Sequence, residues 1–392
     1  MTIDPAARKQ KIDETFKRAV DNGDVPGIVA MATGCDDIIY EGAFGKRVLG
    51  DPAPMTLDTV MWIASMTKPL TTAAALQLVE RGKLQLDTPA ARVIPEIANA
   101  QVLEGFNADG TPRTRPPARQ ITLRHLLTHT AGFGYDMWSA DLVRYQDAMG
   151  IPGIVSCRNS ALTTPLLFDP GERWFYGISI DWAGKMVEAA SGKQLGEYFH
   201  ENILAPLGMT STAFTINGDM RARLAKIHQR GGDGALSPLM EFEVPQDPDF
   251  EMGGGGLYST AGDFLKFCRM ILNQGSHGGL RLLESETVAL MSTNNIGGNR
   301  VCGLKTAIPS LTNDAEFFPG LPKTWGFGFQ INEEPLPTGR PAGGLMWAGL
   351  ANTYFWIDPQ SAVSGVYLTQ ILPFADKKSA PLYIEFETAF YS

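Results

Sequence analysis

Residues 60–82 read VMWIASMTKPLTTAAALQLVERG, and this stretch predicts a strand that runs directly into a helix. Residues 60–64 are apolar, as in a short buried strand. From Ser65 onward the apolar residues recur at helical spacing until Gly82 ends the pattern. Ser65 therefore begins a helix, and Lys68, three residues later, lies on the same helical face.

Ser65 and Lys68 form a pair that could carry nucleophilic catalysis. A serine hydroxyl is a weak nucleophile and needs a neighbouring base, and a lysine serves as one when desolvation or a nearby charge lowers its pKa. The first turn of a helix adds backbone N–H groups and positive potential, which favour a developing oxyanion. The pair therefore makes Ser65 a candidate nucleophile with Lys68 as its base.

Strands are predicted near both ends of the chain. Residues 29–33 and 38–44 are short apolar runs around a tight turn, which indicates a hairpin. Residues 345–347, 353–357 and 362–368 have the same character close to the C-terminus. The pattern therefore predicts an antiparallel sheet assembled from both chain ends, which places the protein in the α+β (α/β) class.

Between these strands the chain loses its period-2 pattern after Asp87 and becomes helical stretches and loops, including a proline-rich segment at 107–119. Helical spacing recurs in five further segments: 1–20, 123–129, 181–190, 261–272 and 379–390. A chain of 392 residues exceeds the usual single core. We expect an α/β domain from residues 1–88 and 256–392, a mainly helical insert at 89–255, and the active site between them.

The composition excludes several classes of protein. Apolar residues make up 44% of the chain and charged residues 19%, which predicts a globular fold. The net charge of −9, without a run of basic residues, argues against nucleic acid. We expect no membrane association and a cytoplasmic location, because neither a signal core nor a spanning segment is evident. Four widely spaced cysteines are expected to be reduced and mostly buried: Cys35, Cys157, Cys268 and Cys302.

Two further segments could complete the site. Residues 170–177, PGERWFYG, place Tyr176 in a turn before a helix, where its phenol could relay a proton, although it could equally pack against neighbouring tryptophans. Residues 346–350, MWAGL, lie on a predicted strand whose small residues would let a carbonyl approach the backbone. The N–H of Leu350 could then complete an oxyanion hole with that of Ser65.

In this order the three elements resemble the serine β-lactamase and penicillin-binding-protein superfamily, and most closely its class C-like branch. Residues 121–132, ITLRHLLTHTAG, and 206–212, PLGMTST, are similar to two further signatures of that branch. The resemblance implies its transpeptidase-like fold. It also implies that Ser65 is acylated, that Lys68 is its partner, and that Tyr176 is the general base that later protonates the leaving group.

Departures from the β-lactamase pattern indicate the substrate. Ile178 stands where β-lactamases have an asparagine, and Trp347-Ala348-Gly349 stands where they have Lys-Thr-Gly. Without that amide and that cation, contacts to a charged antibiotic are lost and neutral esters are favoured. We therefore expect Trp347, Gly349, Tyr135 and Ile178 in the substrate pocket. The pattern resembles family VIII carboxylesterases and the fungal lovastatin side-chain acyltransferases.

The sequence thus predicts a serine carboxylesterase that hydrolyses short to medium acyl esters of small molecules, without a cofactor. Three alternatives stay open: an acyltransferase of the lovastatin side-chain type, a weak class C-like β-lactamase, and a catalytically silent binding protein. A homo-oligomer is also left open. Gly-x-Ser-x-Gly is absent, which argues against an α/β-hydrolase triad.

Two other patterns predict no ligand site. His125 and His129 have the spacing of a zinc helix, but the glutamate and a third ligand are missing, so no metal is expected. The glycines at 253–256 follow no βαβ pattern, and we expect them to form a turn or a close backbone approach beneath the pocket.

Overall fold

The two ends of the chain meet in one seven-stranded antiparallel sheet. The structure is a computed structural model and describes residues 4–392. Its helices are α1 (Pro5–Asp21), α2 (Thr67–Glu80), α3 (Leu123–Leu127), α4 (Ala140–Met149), α5 (Ser179–Ser191), α6 (Leu195–Phe199), α7 (Ala205–Leu207), α8 (Gly218–Ala222), α9 (Ala261–Leu272), α10 (Ser285–Met291) and α11 (Ser379–Thr388).

The strands of this sheet are β1 (Gly27–Thr33), β2 (Ile38–Gly45), β11 (Lys323–Trp325), β12 (Gln330–Asn332), β13 (Leu345–Gly349), β14 (Thr353–Asp358) and β15 (Val363–Leu368). The remaining strands are β3 (Met61–Trp62), β4 (Val102–Phe106), β5 (Pro112–Arg115), β6 (His228–Arg230), β7 (Leu236–Pro238), β8 (Tyr258–Ser259), β9 (Ser276–His277), β10 (Leu280–Arg281) and β16 (Ile371–Leu372). The predicted fold class, hairpin and C-terminal strands are confirmed.

The strand order of this large sheet is β11-β12-β13-β14-β15-β1-β2. The pairing of β1 with β15 joins the two chain ends, and Val29 lies opposite Leu368 in it. Helices α1 and α11 pack together against it, and the Phe16 ring lies 5.7 Å from that of Phe386 and 5.8 Å from that of Tyr367. Helix α9 also packs on β1 and β15. Every residue of β1, β14 and β15 is buried, which explains why these strands are continuous apolar runs.

The helix predicted over residues 1–20 is present as α1, which begins at Pro5. Residues 1–3 of that prediction lie outside the described residues. Asp4 caps this helix by accepting a hydrogen bond from the N–H of Ala7, and proline suits the first helical position because its missing N–H has no intrahelical partner there. The residues predicted to face the core, Ile12, Phe16 and Ala19, are buried.

The strand-to-helix junction at Ser65 is confirmed, with one difference. A short 3₁₀ turn, Ala64–Met66, precedes α2, and Ala64 has a φ of 44°, which is rare for a residue with a side chain. Helix α2 is also buried all round from Thr67 to Leu78, whereas the sequence predicted one apolar face. Helix α2 has no solvent-facing side over this stretch because α5 and α6, which lie within residues 89–255, also pack against it.

Residues 89–255, the predicted insert, contain α3–α8, but they are less helical than predicted. A hairpin, β4 and β5, occupies part of the segment predicted as a proline-rich loop, and β6 and β7 form a small sheet with β16. The hairpin turn closes with a hydrogen bond from Asn107 N–H to Thr111 O and has Gly110 at φ 87°. Strand β4, VLEGF, is interrupted by a register shift between Leu103 and Gly105, and β5, PRTR, is polar and partly exposed, so neither strand shows the apolar alternation that identifies a strand.

Within residues 4–392, no helix is long and apolar enough to cross a membrane. The division into domains after residues 88 and 255, the cytoplasmic location and the oligomeric state stay predictions.

Candidate active site

Ser65 and Lys68 are in contact at the start of α2. The Nζ atom of Lys68 donates to Ser65 Oγ at 3.1 Å, and the lysine is completely buried. It also donates to Tyr135 Oη at 3.0 Å and to the carbonyl oxygen of Gly254 at 2.6 Å. These three bonds use every N–H that an ammonium has, so the lysine is held in one position beside the serine.

Burial lowers the pKa of Lys68, because removing an ammonium from water disfavours its charge. The carboxylate of Asp181 acts in the opposite direction and raises that pKa. Desolvation is the larger effect, so the neutral amine is reached at a lower pH than for an exposed lysine. A neutral amine beside Ser65 Oγ can accept its proton.

Tyr176 completes the cluster. Its Oη accepts a hydrogen bond from the indole Nε1 of Trp347 at 2.9 Å, and the Ser65 side chain also hydrogen bonds to it. The Nζ atom of Lys68 lies 4.6 Å from the centre of the Tyr176 ring. Burial raises the pKa of Tyr176, and the two hydrogen bonds only partly offset this. The resting tyrosine is therefore a neutral phenol that can donate a proton.

The third predicted element, β13, ends beside the nucleophile. A Cβ atom on Gly349 would lie 2.2 Å from the carbonyl oxygen of Ile63, so only glycine lets the strand approach the residues before Ser65 so closely. Leu350, the next residue, lines the same cavity as Ser65. Its backbone is therefore near the position expected for an oxyanion-hole donor.

The sequence reasoning missed Asp181, which lies in the first turn of α5, five residues after Tyr176. Its side chain is fully buried, and Oδ1 accepts a hydrogen bond from the N–H of Gly254 at 2.8 Å. Burial raises the pKa of Asp181, and the charge of Lys68 lowers it again. Gly254 thus links the two side chains, because its N–H binds Asp181 and its carbonyl binds Lys68.

The predicted close backbone approach at residues 253–256 is confirmed by this contact. A Cβ atom on Gly254 would lie 2.5 Å from Asp181 Oδ2. Among residues 4–392, that oxygen has no hydrogen-bond partner. An acidic residue in the first turn of a predicted helix, together with a run of glycines, was the available signal.

Three of the four predicted pocket residues line the cavity that contains Ser65, and one does not. Tyr135, Trp347 and Gly349 line this cavity together with Ser65. Ile178 does not line it, because its side chain is buried in the hydrophobic core just before α5, so its expected contact with substrate is unsupported. Much of the remaining wall is apolar, including Met137, Trp138, Ile154, Val155, Met252 and Phe317.

The two histidines have separate environments. His125 Nδ1 accepts a hydrogen bond from the N–H of Thr122 and thereby caps α3. His129 is buried, with its ring 4.8 Å from that of Tyr176. In the described part of the chain, no three His, Cys, Asp or Glu residues are grouped so that they could hold a metal.

The four cysteines are free, but they are less buried than predicted. Cys157 and Cys268 are buried, Cys35 is half-buried, and Cys302 is exposed.

A serine at the start of a buried helix, between an antiparallel sheet and a helical insert, defines the class of serine hydrolases and acyltransferases with a β-lactamase fold. The comparisons with known proteins agree. A model described as Beta-lactamase matches residues 12–389. The chain belongs to this family.

Two relatives and one solved structure are similar over nearly the whole chain. Monacolin J acid methylbutanoyltransferase from Aspergillus terreus is 34% identical, with 100% of this chain and 98% of that protein aligned. Lovastatin esterase from Penicillium rubens is also 34% identical, over 92% of this chain and 93% of its own length. The unliganded simvastatin synthase from Aspergillus terreus superposes with a TM-score of 0.84 at 32% identity, covering 100% of this chain and 98% of that one.

Proposed function

We propose that this protein is a serine carboxylesterase of the family VIII type, which hydrolyses neutral acyl esters of small molecules through an ester of Ser65. The observation that carries the proposal is the contact of Ser65 with Lys68 and Tyr176 at the wall of a largely apolar cavity. Trp347 occupies the position expected for a cation in β-lactamases and binds Tyr176 instead. The weak β-lactamase and the silent binding protein are therefore less favoured.

The pKa of Lys68 is lowered and that of Tyr176 is raised, so the two residues suit different proton transfers. Lys68, whose pKa is lowered, takes the proton of Ser65 as the hydroxyl attacks the ester carbonyl. Tyr176, whose pKa is raised, gives its proton to the departing alkoxide as the carbon–oxygen bond breaks. The backbone N–H groups of Ser65 and Leu350 stabilise the oxyanion in between. This assigns Lys68, rather than Tyr176, as the base of the first step.

The second half of the reaction reverses these transfers. The Tyr176 phenolate takes a proton from water as the water oxygen attacks the acyl carbon. Collapse of that intermediate releases the Ser65 oxygen, which regains its proton from the Lys68 ammonium. Both residues return to their starting protonation states, so the cycle balances without a further acid or base. Tyr176 is thus the general base of deacylation.

A second candidate is acyl transfer to an alcohol, which differs only in the molecule that meets the acyl-enzyme. It is favoured because two relatives, each 34% identical to this chain, are a methylbutanoyltransferase and an esterase. The largely apolar wall of the cavity suits an acyl chain and an apolar alcohol alike.

Product partition tests both candidates. We expect p-nitrophenyl butyrate to give a butyryl adduct of the intact protein by mass spectrometry, followed by release of butyrate. Addition of an alcohol would divert part of the product to a butyrate ester if the enzyme also transfers, and would change nothing if it only hydrolyses. Absence of both an adduct and turnover with every acyl ester tried would reject the proposal and favour a binding protein.

The pH dependence of acylation tests the role given to Lys68. Acylation needs the neutral amine, so its rate should rise as the pH increases through the lowered pKa of Lys68. Asp181→Asn removes the charge that raises this pKa, so the rising limb should move to lower pH. Rapid-quench measurement of the acyl-enzyme between about pH 5 and 9 would show the shift.

Asp141→Asn, on the exposed start of α4, is the matched control and should leave the limb in place. A limb that stays unmoved or moves to higher pH in Asp181→Asn would contradict the assignment of Lys68 as base.

A further inference from the structure

The backbone just before Ser65 has a conformation that it would not adopt by itself. Ala64 is buried and has a φ of 44°. Left-handed backbone is costly for a residue with a Cβ atom, and it persists only where the surrounding structure fixes it. The direction of the Ser65 N–H and side chain follows from the φ and ψ of this alanine. Contacts of the neighbouring residues must therefore stabilise the conformation.

Strand β3, which leads into this turn, has little support from other strands. It contains only Met61 and Trp62, and it pairs with the equally short β8. In an antiparallel pair, alternate residues direct their N–H and C=O groups away from the partner strand. The N–H and C=O groups of a residue that faces away need another partner when they are buried.

The side chain of Gln370 binds both backbone groups of Trp62. Its Oε1 accepts from the N–H of Trp62 at 3.1 Å, and its Nε2 donates to the carbonyl oxygen of Trp62 at 3.0 Å. Nε2 also donates to the carbonyl oxygen of Thr369 at 2.7 Å, which fixes the orientation of the amide. Gln370 is 1% exposed. Because a side-chain amide has the same donor and acceptor groups as a peptide, Gln370 takes the place of a third strand beside β3.

Two threonines bind the next two carbonyl groups of the chain. Thr353 Oγ1 donates to the carbonyl oxygen of Ile63 at 3.3 Å. Thr67 Oγ1 donates to the carbonyl oxygen of Ala64 at 2.7 Å and accepts from the N–H of Leu257 at 3.1 Å. Together with the glutamine contact, side chains thus bind three consecutive carbonyl groups before the nucleophile.

We propose that Gln370 is a positioning residue for the nucleophile: by holding the backbone of Trp62, it keeps Ala64 at a positive φ. The N–H and hydroxyl groups of Ser65 are thereby directed towards the ester. This inference rests on the proposed acyl-transfer function and adds to it a residue that does not line the cavity. Loss of the two Gln370 bonds therefore slows acylation and leaves ester binding nearly unchanged.

Gln370→Met tests this role, because methionine has a similar length and shape but forms neither bond. Rapid-quench mass spectrometry of the butyryl-enzyme at several concentrations of p-nitrophenyl butyrate gives the acylation rate constant and the apparent dissociation constant of the ester. We expect the rate constant to fall about 30-fold, while the dissociation constant stays within about twofold of the wild-type value.

Gln77→Met is the matched control. Gln77 is also buried, and its Nε2 also donates to two backbone carbonyl groups, those of Asn202 and Leu282, neither of which adjoins Ser65. This variant should lose stability in thermal unfolding, because two buried acceptors lose their donor. Its folded form should keep the wild-type acylation rate constant.

A substitution at Ala64 separates positioning from a general loss of stability. Glycine adopts a positive φ without the steric cost that alanine has, so Ala64→Gly should make Gln370 less necessary. In that background we expect Gln370→Met to lower the acylation rate constant only about threefold, compared with about 30-fold when Ala64 is present. A variant that merely loosened the fold would lose the same factor in both backgrounds.

Thr353→Val provides a milder form of the same test and decides the question if Gln370→Met does not fold. Valine has nearly the shape of threonine and loses only the bond to the Ile63 carbonyl. We expect this variant to lower the acylation rate constant about threefold when Ala64 is present. The rate constant should not change when the same substitution is made in the Ala64→Gly background.

The outcomes separate this inference from the function on which it rests. If the wild type forms no butyryl-enzyme with the ester, the acyl-transfer function fails, and the inference fails with it. If the butyryl-enzyme forms in the wild type, three results would overturn only the role of Gln370. These are a wild-type acylation rate in folded Gln370→Met, an equal loss in Gln77→Met, and a loss that Ala64→Gly does not reduce.

Discussion

Ser65→Ala is expected to abolish the acyl-enzyme and to reduce ester turnover by at least about 10⁴-fold, because no other group in the cluster replaces a covalent nucleophile. Lys68 and Tyr176 would remain in place, but they carry protons and form no ester. Intact-protein mass spectrometry after mixing with p-nitrophenyl butyrate measures the adduct, and p-nitrophenol release measures the turnover.

The fold should survive this change, because the side chain of Ser65 is only half-buried and the variant loses a single small hydroxyl group. Ser361→Ala, in the exposed turn after β14, is the matched control and should be acylated like the wild type. A butyryl adduct of full stoichiometry on a folded Ser65→Ala protein would place the nucleophile elsewhere.

Tyr176→Phe is expected to reduce turnover by about 10³-fold, the range typical of a lost general acid or base. Both half-reactions should slow, because the phenol protonates the leaving oxygen in the first and accepts a proton in the second. The variant also leaves the indole N–H of Trp347 without its partner, so a modest loss of stability should accompany the loss of rate.

The choice of leaving group makes this prediction sharper. p-Nitrophenolate leaves without protonation, whereas an alkoxide needs a proton, so acylation by an alkyl ester should fall much more than acylation by the p-nitrophenyl ester. Tyr145→Phe, on α4 outside the cavity, serves as the control and should retain wild-type rates. Equal losses with both leaving groups would remove Tyr176 from the role of acid.

Much of the fold was predictable because its sheet is unusually apolar. Strand β1 and the last three strands of the large sheet are completely buried, as their mostly apolar residues indicate. The hairpin β4–β5 was missed because β5 is polar and β4 is short and irregular, and strand pairing there depends on backbone hydrogen bonds that no residue pattern records. Ile178 does not line the cavity that contains Ser65, because a motif position does not determine which way its side chain points.

The sequence by itself determined that Ser65, the proposed nucleophile, and Lys68 come within reach of each other, since local helix geometry alone brings them together. It also supplied Tyr176 and the strand ending in Gly349, through motifs in a recognisable order. Only the tertiary structure decided their protonation states, because the desolvation that lowers the pKa of Lys68 and raises that of Tyr176 depends on every element packed around them. The contact of Asp181 with Gly254 likewise joins distant parts of the chain, and such a contact forms only when the whole fold closes.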